Sequence, residues 1–251
     1  QTSFAYTFDL NATKAYNPKS PARYDADGNV KKVAGTTNEA SDYWWRQGMW
    51  TNENMLTYNK QFGRHTVGAL LGHSAIESRY NTSTASKQGF PTENIYELNG
   101  GTDKPGASGK SEKYTLQSFF ARLTYSFDDR YLLEFNIRRD GSSRMPKAHR
   151  YANFPSVSAG WVFSNESFME CAKWLSMGKL RVSWGKLGNQ EIGNYAYSAT
   201  LGASGNYYFD ESIKQAGMVQ TSIANENIKW ETTRSVNTAI DLGFLNNRIT
   251  T

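Results

Sequence analysis

Long apolar runs are missing from this sequence. No stretch approaches the roughly 18 consecutive apolar residues that a membrane-crossing helix needs, and the mean hydropathy is −0.66. A helical membrane protein is excluded. Cysteine is nearly absent as well: the single Cys171 cannot form an internal disulfide, which removes the small disulfide-stapled class, and it reads as a buried apolar filler. The three histidines, His65, His73 and His149, are scattered, without the His/His or Cys/His spacing that zinc requires; surface or rim positions explain them. Charge of one sign is scarce. Lys and Arg number 28 against 23 Asp and Glu, a net charge of +5 spread along the chain, with no patch for nucleic acid. No charged n-region, apolar h-region and cleavage site opens the chain. Gln1-Thr2-Ser3 runs straight into a strand-like segment, so the sequence reads as a piece of a longer one.

Catalytic constellations are missing too. Gly106-Ala107-Ser108-Gly109-Lys110-Ser111 ends like a phosphate loop, but the required first glycine falls on Lys104, and strand-like Tyr114 to Phe120 follows where a helix is needed. Asp25-Ala26-Asp27-Gly28-Asn29 alternates oxygen ligands as a calcium loop does, yet Gly28 comes two places early and no Glu closes it; a hairpin tip is the better reading. Asp128-Asp129 sit side by side in a turn and cannot flank a scissile glycosidic bond. No Gly-x-Ser-x-Gly elbow is present. The sequence therefore predicts no enzyme, no metal and no cofactor.

What is abundant is aromatic residues and alternation. There are 15 Tyr, 13 Phe and 7 Trp, too many for a disordered chain. In Arg130 to Asp140, Tyr131, Leu133, Phe135 and Ile137 alternate with Leu132, Glu134, Asn136 and Arg138, the period of a strand with one oily face. Ser118 to Phe127, Ser156 to Phe163, Lys179 to Trp184 and Val236 to Phe244 repeat the pattern. Less regular strands lie near Ser3 to Asp9, in Tyr43 to Asn59 and in Thr66 to Arg79, about eight in all. Their connections alternate in length: Asn59 to Arg64, Asp128-Asp129 and Asn246-Asn247 are tight, whereas Asn11 to Ser41, Tyr80 to Glu112, Asp140 to Ala152 and Asn189 to Asn225 are long and polar. Glu166 to Leu175 is the exception on the short side: Phe168, Met169, Ala172 and Leu175 follow an Asn165 cap at helical spacing, which predicts one short rim helix near 166–175.

Alternation alone also fits a soluble antiparallel sandwich. Three features favour an all-β transmembrane barrel instead, with short periplasmic turns and long extracellular loops. The strands run to ten or more residues, near the nine to eleven needed to cross a bilayer. Aromatics gather near strand ends, Trp44, Trp45 and Trp50 toward one rim and Tyr58, Phe127, Tyr131, Phe163 and Phe244 toward the other. The second face carries Arg122, Glu134, Arg138, Arg181 and Asp241, which a dry core would reject and a watery lumen accepts.

Several phrases, in order, resemble the SusC/RagA family of TonB-dependent outer-membrane transporters. They are Arg138-Arg139-Asp140-Gly141-Ser142-Ser143-Arg144, Tyr151 to Trp161, Lys179 to Gln190, Ile192-Gly193-Asn194-Tyr195 and Trp230-Glu231-Thr232-Thr233. The likeness is close from about Tyr114 onward and loose before it. It implies a large plugged barrel of the 22-strand class, embedded in outer-membrane lipid, that imports oligosaccharides or peptides. It also implies energy from TonB and a SusD-like surface lipoprotein as a lid. Residues 1–251 would then be part of the barrel domain, with the TonB box, the plug and the remaining strands outside the sequence. Cargo or loop contacts are expected among the aromatics Trp44, Trp45, Tyr195, Tyr197, Tyr207 and Tyr208, and at Arg138, Arg139 and Asp140, which can instead lock loops by ion pairing. The alternative reading is a secreted glycan-binding β-sandwich or adhesin.

Overall fold

The computed structural model describes residues 1–19, 23–24, 30–32, 37–172, 174–203, 207–208, 214–215, 217–246 and 248–250. Its long strands are β1 (Thr2–Asn17), β4 (Glu39–Phe62), β5 (His65–Gln88), β6 (Asp103–Phe127), β7 (Tyr131–Ser142), β8 (Tyr151–Trp161), β9 (Leu175–Asn189) and β14 (Glu231–Phe244). Short strands complete the set: β2 (Arg23–Tyr24), β3 (Val30–Lys32), β10 (Leu201–Gly202), β11 (Tyr207–Tyr208), β12 (Lys214–Gln215), β13 (Val219–Gln220) and β15 (Ile249–Thr250). One hydrogen-bonded sheet runs β1-β4-β5-β6-β7-β8-β9-β14-β15, an up-and-down order in which each long strand pairs with its sequence neighbours among the long strands. The two outermost strands, β1 and β15, are not paired with each other, so the ladder stays open.

Turn chemistry sets this order. Asp128 and Asp129 both take positive φ, 55° and 51°, the mirror-image turn whose twist matches that of the flanking strands and which Asp tolerates better than most residues. Gly63 (φ 59°) turns β4 into β5, and Leu245 and Asn246 (φ 52° and 60°) turn β14 into β15.

The chain forms two compact units, one of residues 1–5, 51–76 and 114–251 and the other of residues 6–50 and 77–113. In the first unit the register is unbroken from Leu116–Ser142 to Phe127–Tyr131 between β6 and β7. It aligns the oily residues in rows across five strands: Leu123, Phe135, Val157, Trp184 and Val236 in one, and Phe127, Tyr131, Trp161, Leu180 and Ile240 in another. The opposite face carries Thr124, Glu134, Ser158, Ser183 and Asn237 in a matching row. Among the described residues of this unit, none covers the oily rows. Tyr131, Leu133, Phe135 and Ile137 are 45%, 51%, 46% and 39% exposed, whereas a two-layer sandwich would have closed over them.

The helix expected near 166–175 is instead a pair of single 3-10 turns, Phe163–Asn165 and Ser167–Met169. Glu166, which that helix needs in its first turn, is extended (φ −82°, ψ 148°), because its carboxylate accepts hydrogen bonds from Tyr131 and Trp161. With no apolar helix face to pack on, Cys171 is exposed rather than buried. Strands also extend well into sequence expected to be loop. β5 runs to Gln88 and β6 begins at Asp103, so residues 103–113, the phosphate-loop lookalike included, are strand. Asp25 to Asn29 lie outside the described residues.

Close packing at the end of β7 requires a glycine. A Cβ on Gly141 would stand 2.3 Å from the ring of its cross-strand partner Tyr151, and Tyr151 donates from its hydroxyl to Gln117 (2.9 Å). Gly141→Val is expected to cost about 1–3 kcal/mol of overpacking, read by thermal unfolding of the full-length protein, and adding Tyr151→Ala should restore most of that loss.

Candidate functional site

No group of three or more His, Cys, Asp or Glu side chains able to hold a metal converges among the described residues. The candidate site is a polar wall with the loops at its end. On the wall, Arg181 grips Asp241 with two bonds of 2.6 and 2.7 Å, and Arg122 donates to Asn136 at 3.0 Å. A depression of about 510 Å³ is lined there by Thr124, Glu134, Ser158, Lys179, Arg181 and Ser183. Hydroxyls and paired charges of both signs offer a hydrated solute both donors and acceptors.

The sequence-predicted contacts divide. Arg138 and Asp140 come together: Arg138 Nε lies 2.7 and 2.9 Å from the two Asp140 oxygens, and its Nη2 donates to Ser118 Oγ at 2.8 Å. With Ser118 buried, this pair locks the end of β7. Arg139 points to the other face and stacks over Tyr151, 5.3 Å from the ring centre. Tyr195 and Tyr197 share one loop turn: Ser198 donates to the Tyr195 carbonyl and Asn225 to that of Tyr197, and the Tyr195 ring is 45% exposed. Tyr207 and Tyr208 pair by backbone with Gln215 and Lys214, and their side chains lie outside the described residues. Trp44 and Trp45 belong to the other unit, on opposite faces of β4. Trp44 is 52% exposed, and Trp45 lies 5.8 Å from Tyr80.

Sequence reasoning missed the residues that hold the loops. Arg144 bridges two of them, donating to Asn194 Oδ1 (3.1 Å) while stacked over Tyr114, and Trp230 Nε1 donates to the Arg150 carbonyl (3.1 Å). In the other unit Asn38, 1% exposed, donates to Tyr16 Oη and to the Phe90 carbonyl, and accepts from the Phe90 amide. Asn38 thereby pins residues 89–102 at their start, where Gly89 takes φ 75°. An Asn ahead of a strand has no distinguishing neighbours in sequence.

The short-turn rim is tied by charge. Arg64 pairs with Asp128, Asp128 with Arg130 at 3.1 Å, and Arg130 with Glu166 at 3.2 Å. Hydrogen bonds from Tyr131 and Trp161, aided by the Arg130 charge, hold Glu166 below the usual carboxylate range, and the bond from Arg64 does the same for Asp128.

Asn38→Ala leaves the buried Phe90 amide and carbonyl without partners, at a local cost of about 1–3 kcal/mol; faster amide exchange across 89–102 is the expected readout. For Glu166 the folded pKa lies below the unfolded value of about 4.3, so its stabilisation is complete above that value and disappears as pH falls through the folded one. Glu166→Gln should therefore lower the melting temperature of the full-length protein at pH 7, and the two melting temperatures should converge in acid.

Residues 1–251 match the family model described as TonB dependent receptor-like, beta-barrel. TonB-dependent receptor SusC of Bacteroides thetaiotaomicron is 41% identical over 145 residues, which cover 54% of this chain and 14% of SusC. TonB-dependent receptor P3 of Formosa agariphila is 32% identical over 218 residues, 86% of this chain and 22% of that receptor. The solved structure of the RagAB peptide transporter superposes with a TM-score of 0.84 at 26% identity, over 99% of this chain and 26% of that one. The chain thus spans about a quarter or less of the relatives it matches. Open ladder, uncovered oily rows and polar wall agree with these likenesses: the chain belongs to the TonB-dependent receptor β-barrel family.

Proposed function

We propose that this chain is one portion of the wall of an importer in the bacterial outer membrane, its oily rows against lipid and its polar face on a wet lumen. The observation that carries this reading is the exposure of Tyr131, Leu133, Phe135 and Ile137 opposite a face of hydrogen-bonded charges. In lipid those side chains are covered without any second protein layer, and the ladder supplies the backbone bonds that lipid cannot. The plug, the TonB box and the remaining strands belong to the rest of the full-length protein, which draws its energy through TonB. The cargo is a polar solute too large to diffuse through an open pore, an oligosaccharide or a peptide, and a SusD-like surface lipoprotein closes the long-loop end. Relatives called SusC and RagAB support that assignment. Cargo contact is assigned to the exposed Tyr195, and the Arg138–Asp140 pair positions the end of its own strand.

The test is uptake. Cells lacking the chromosomal gene and complemented with the full-length transporter should import fluorescently labelled oligosaccharides or peptides only when TonB is present. Tyr195→Ala should reduce uptake of the true cargo about fivefold, the order expected when a stacking contact of roughly 0.5–1.5 kcal/mol is lost. TonB-independent uptake, or none of either class, would overturn the reading.

A further inference from the structure

The outward face of the first unit ends in a charge imbalance. Every carboxylate on β7, β8, β9 and β14, namely Glu134, Asp140, Glu231 and Asp241, falls by strand alternation on the polar face. There Asp140 is paired with Arg138 and Asp241 with Arg181, while Glu134 and Glu231 accept hydrogen bonds from Asn136 and Asn189. The oily face of the same strands carries three cations and no anion: Arg139, Lys186 and Arg234. All three lie beyond the row of Leu123, Phe135, Val157, Trp184 and Val236, on the side of the long loops.

Two of them oppose each other directly. Lys186 on β9 is the register partner of Arg234 on β14, next to the oily pair Trp184–Val236. Like charges in that position destabilise a sheet, and among the described residues neither side chain has an ion-pair partner. Arg139 stands two strands away, about 10 Å across the ladder, held by its stacking on Tyr151. A pair that repels itself in the isolated protein is relieved by an anion placed between the two cations, and cations at the edge of an oily band meet anions in one place, the phosphate-bearing headgroups of the adjoining leaflet.

We propose that Lys186 and Arg234, with Arg139 beside them, form a binding site for a phosphate-bearing lipid headgroup of the outer leaflet. The lipid's acyl chains lie along the rows of Trp184, Val236 and Val157. This rests on the reading that these rows face lipid. The site commits to a lipid as the source of phosphate, because the oily rows immediately below it offer a free ion nothing.

The experiment uses the full-length transporter in neutral detergent, with melting followed as diphosphorylated lipid A, the same glycolipid with its phosphates removed, or inorganic phosphate is added. The phosphorylated lipid should stabilise, and the other two should not. Lys186→Gln should weaken apparent lipid affinity roughly fivefold, and Lys186→Gln with Arg234→Gln roughly 25-fold, following the usual contribution of each cation near an anionic surface. In lipid-free detergent the double variant should melt at or above the wild-type temperature, since removing the repulsion costs nothing. Equal stabilisation by the dephosphorylated lipid or by inorganic phosphate, or undiminished affinity in the double variant, overturns the proposal. The lipid-facing premise is read separately, from quenching of a fluorophore on Leu133→Cys by brominated lipid in reconstituted vesicles. Quenching without phosphate-dependent stabilisation sinks the site alone, and absence of quenching sinks the premise.

Discussion

Strand-to-strand hydrogen bonding is the constraint on which everything else in this chain rests. Because each long strand finds its backbone partners in its neighbours along the chain, both faces of the ladder are left to the side chains. Period-two alternation then separates oil from charge with no need of a closed interior. Few hydrophobic side chains are buried, among them Ala40, Phe90, Met145 and Phe154, and these hold loops or strand ends. A soluble protein of this size would have spent its aromatics on a core.

That constraint explains why some elements could be read from sequence and others could not. Where one face meets oil and the other water, as in Tyr131 to Ile137, the residues alternate and the strand is visible without coordinates. Where the same strands have polar residues on both faces, the signal disappears. Asp103 to Lys113, with Pro105, Gly106 and Gly109, has the composition of a loop, yet it continues β6 because the neighbouring ladder dictates its conformation. The rim helix failed for a related reason. Helical spacing at Phe168, Met169, Ala172 and Leu175 is real, but one carboxylate, Glu166, is held by Tyr131 and Trp161, and a local tertiary bond outweighs the weak preference of ten residues for a helix.

The charged face of the strands was legible from sequence, and its bonded partners only partly. The polar-face charges Arg122, Glu134, Arg181 and Asp241 follow from alternation, and the geometry gives them bonded partners. The proposed ion-pair role of Arg138 with Asp140 is met at 2.7 Å. Arg139 could be placed on the opposite face by parity alone, although the family phrase that contains it reads as a single motif. The loop-holding bonds of Asn38 to Phe90, Arg144 to Asn194 and Trp230 to Arg150 span 50 or more residues, and no local pattern records such a distance.

The chain of ion pairs from Arg64 through Asp128 and Arg130 to Glu166 reinforces three successive connections that backbone bonds from Asp128 to Arg64 and from Val162 to Arg130 already join. A force on any one of these hairpins is shared by the next, so the short-turn edge of the ladder yields as one piece. At the opposite end the connections meet without ion pairing at Arg144 on Asn194 and Trp230 on the Arg150 carbonyl, so salt, which screens exposed charges, loosens the short-turn end more than the long-loop end.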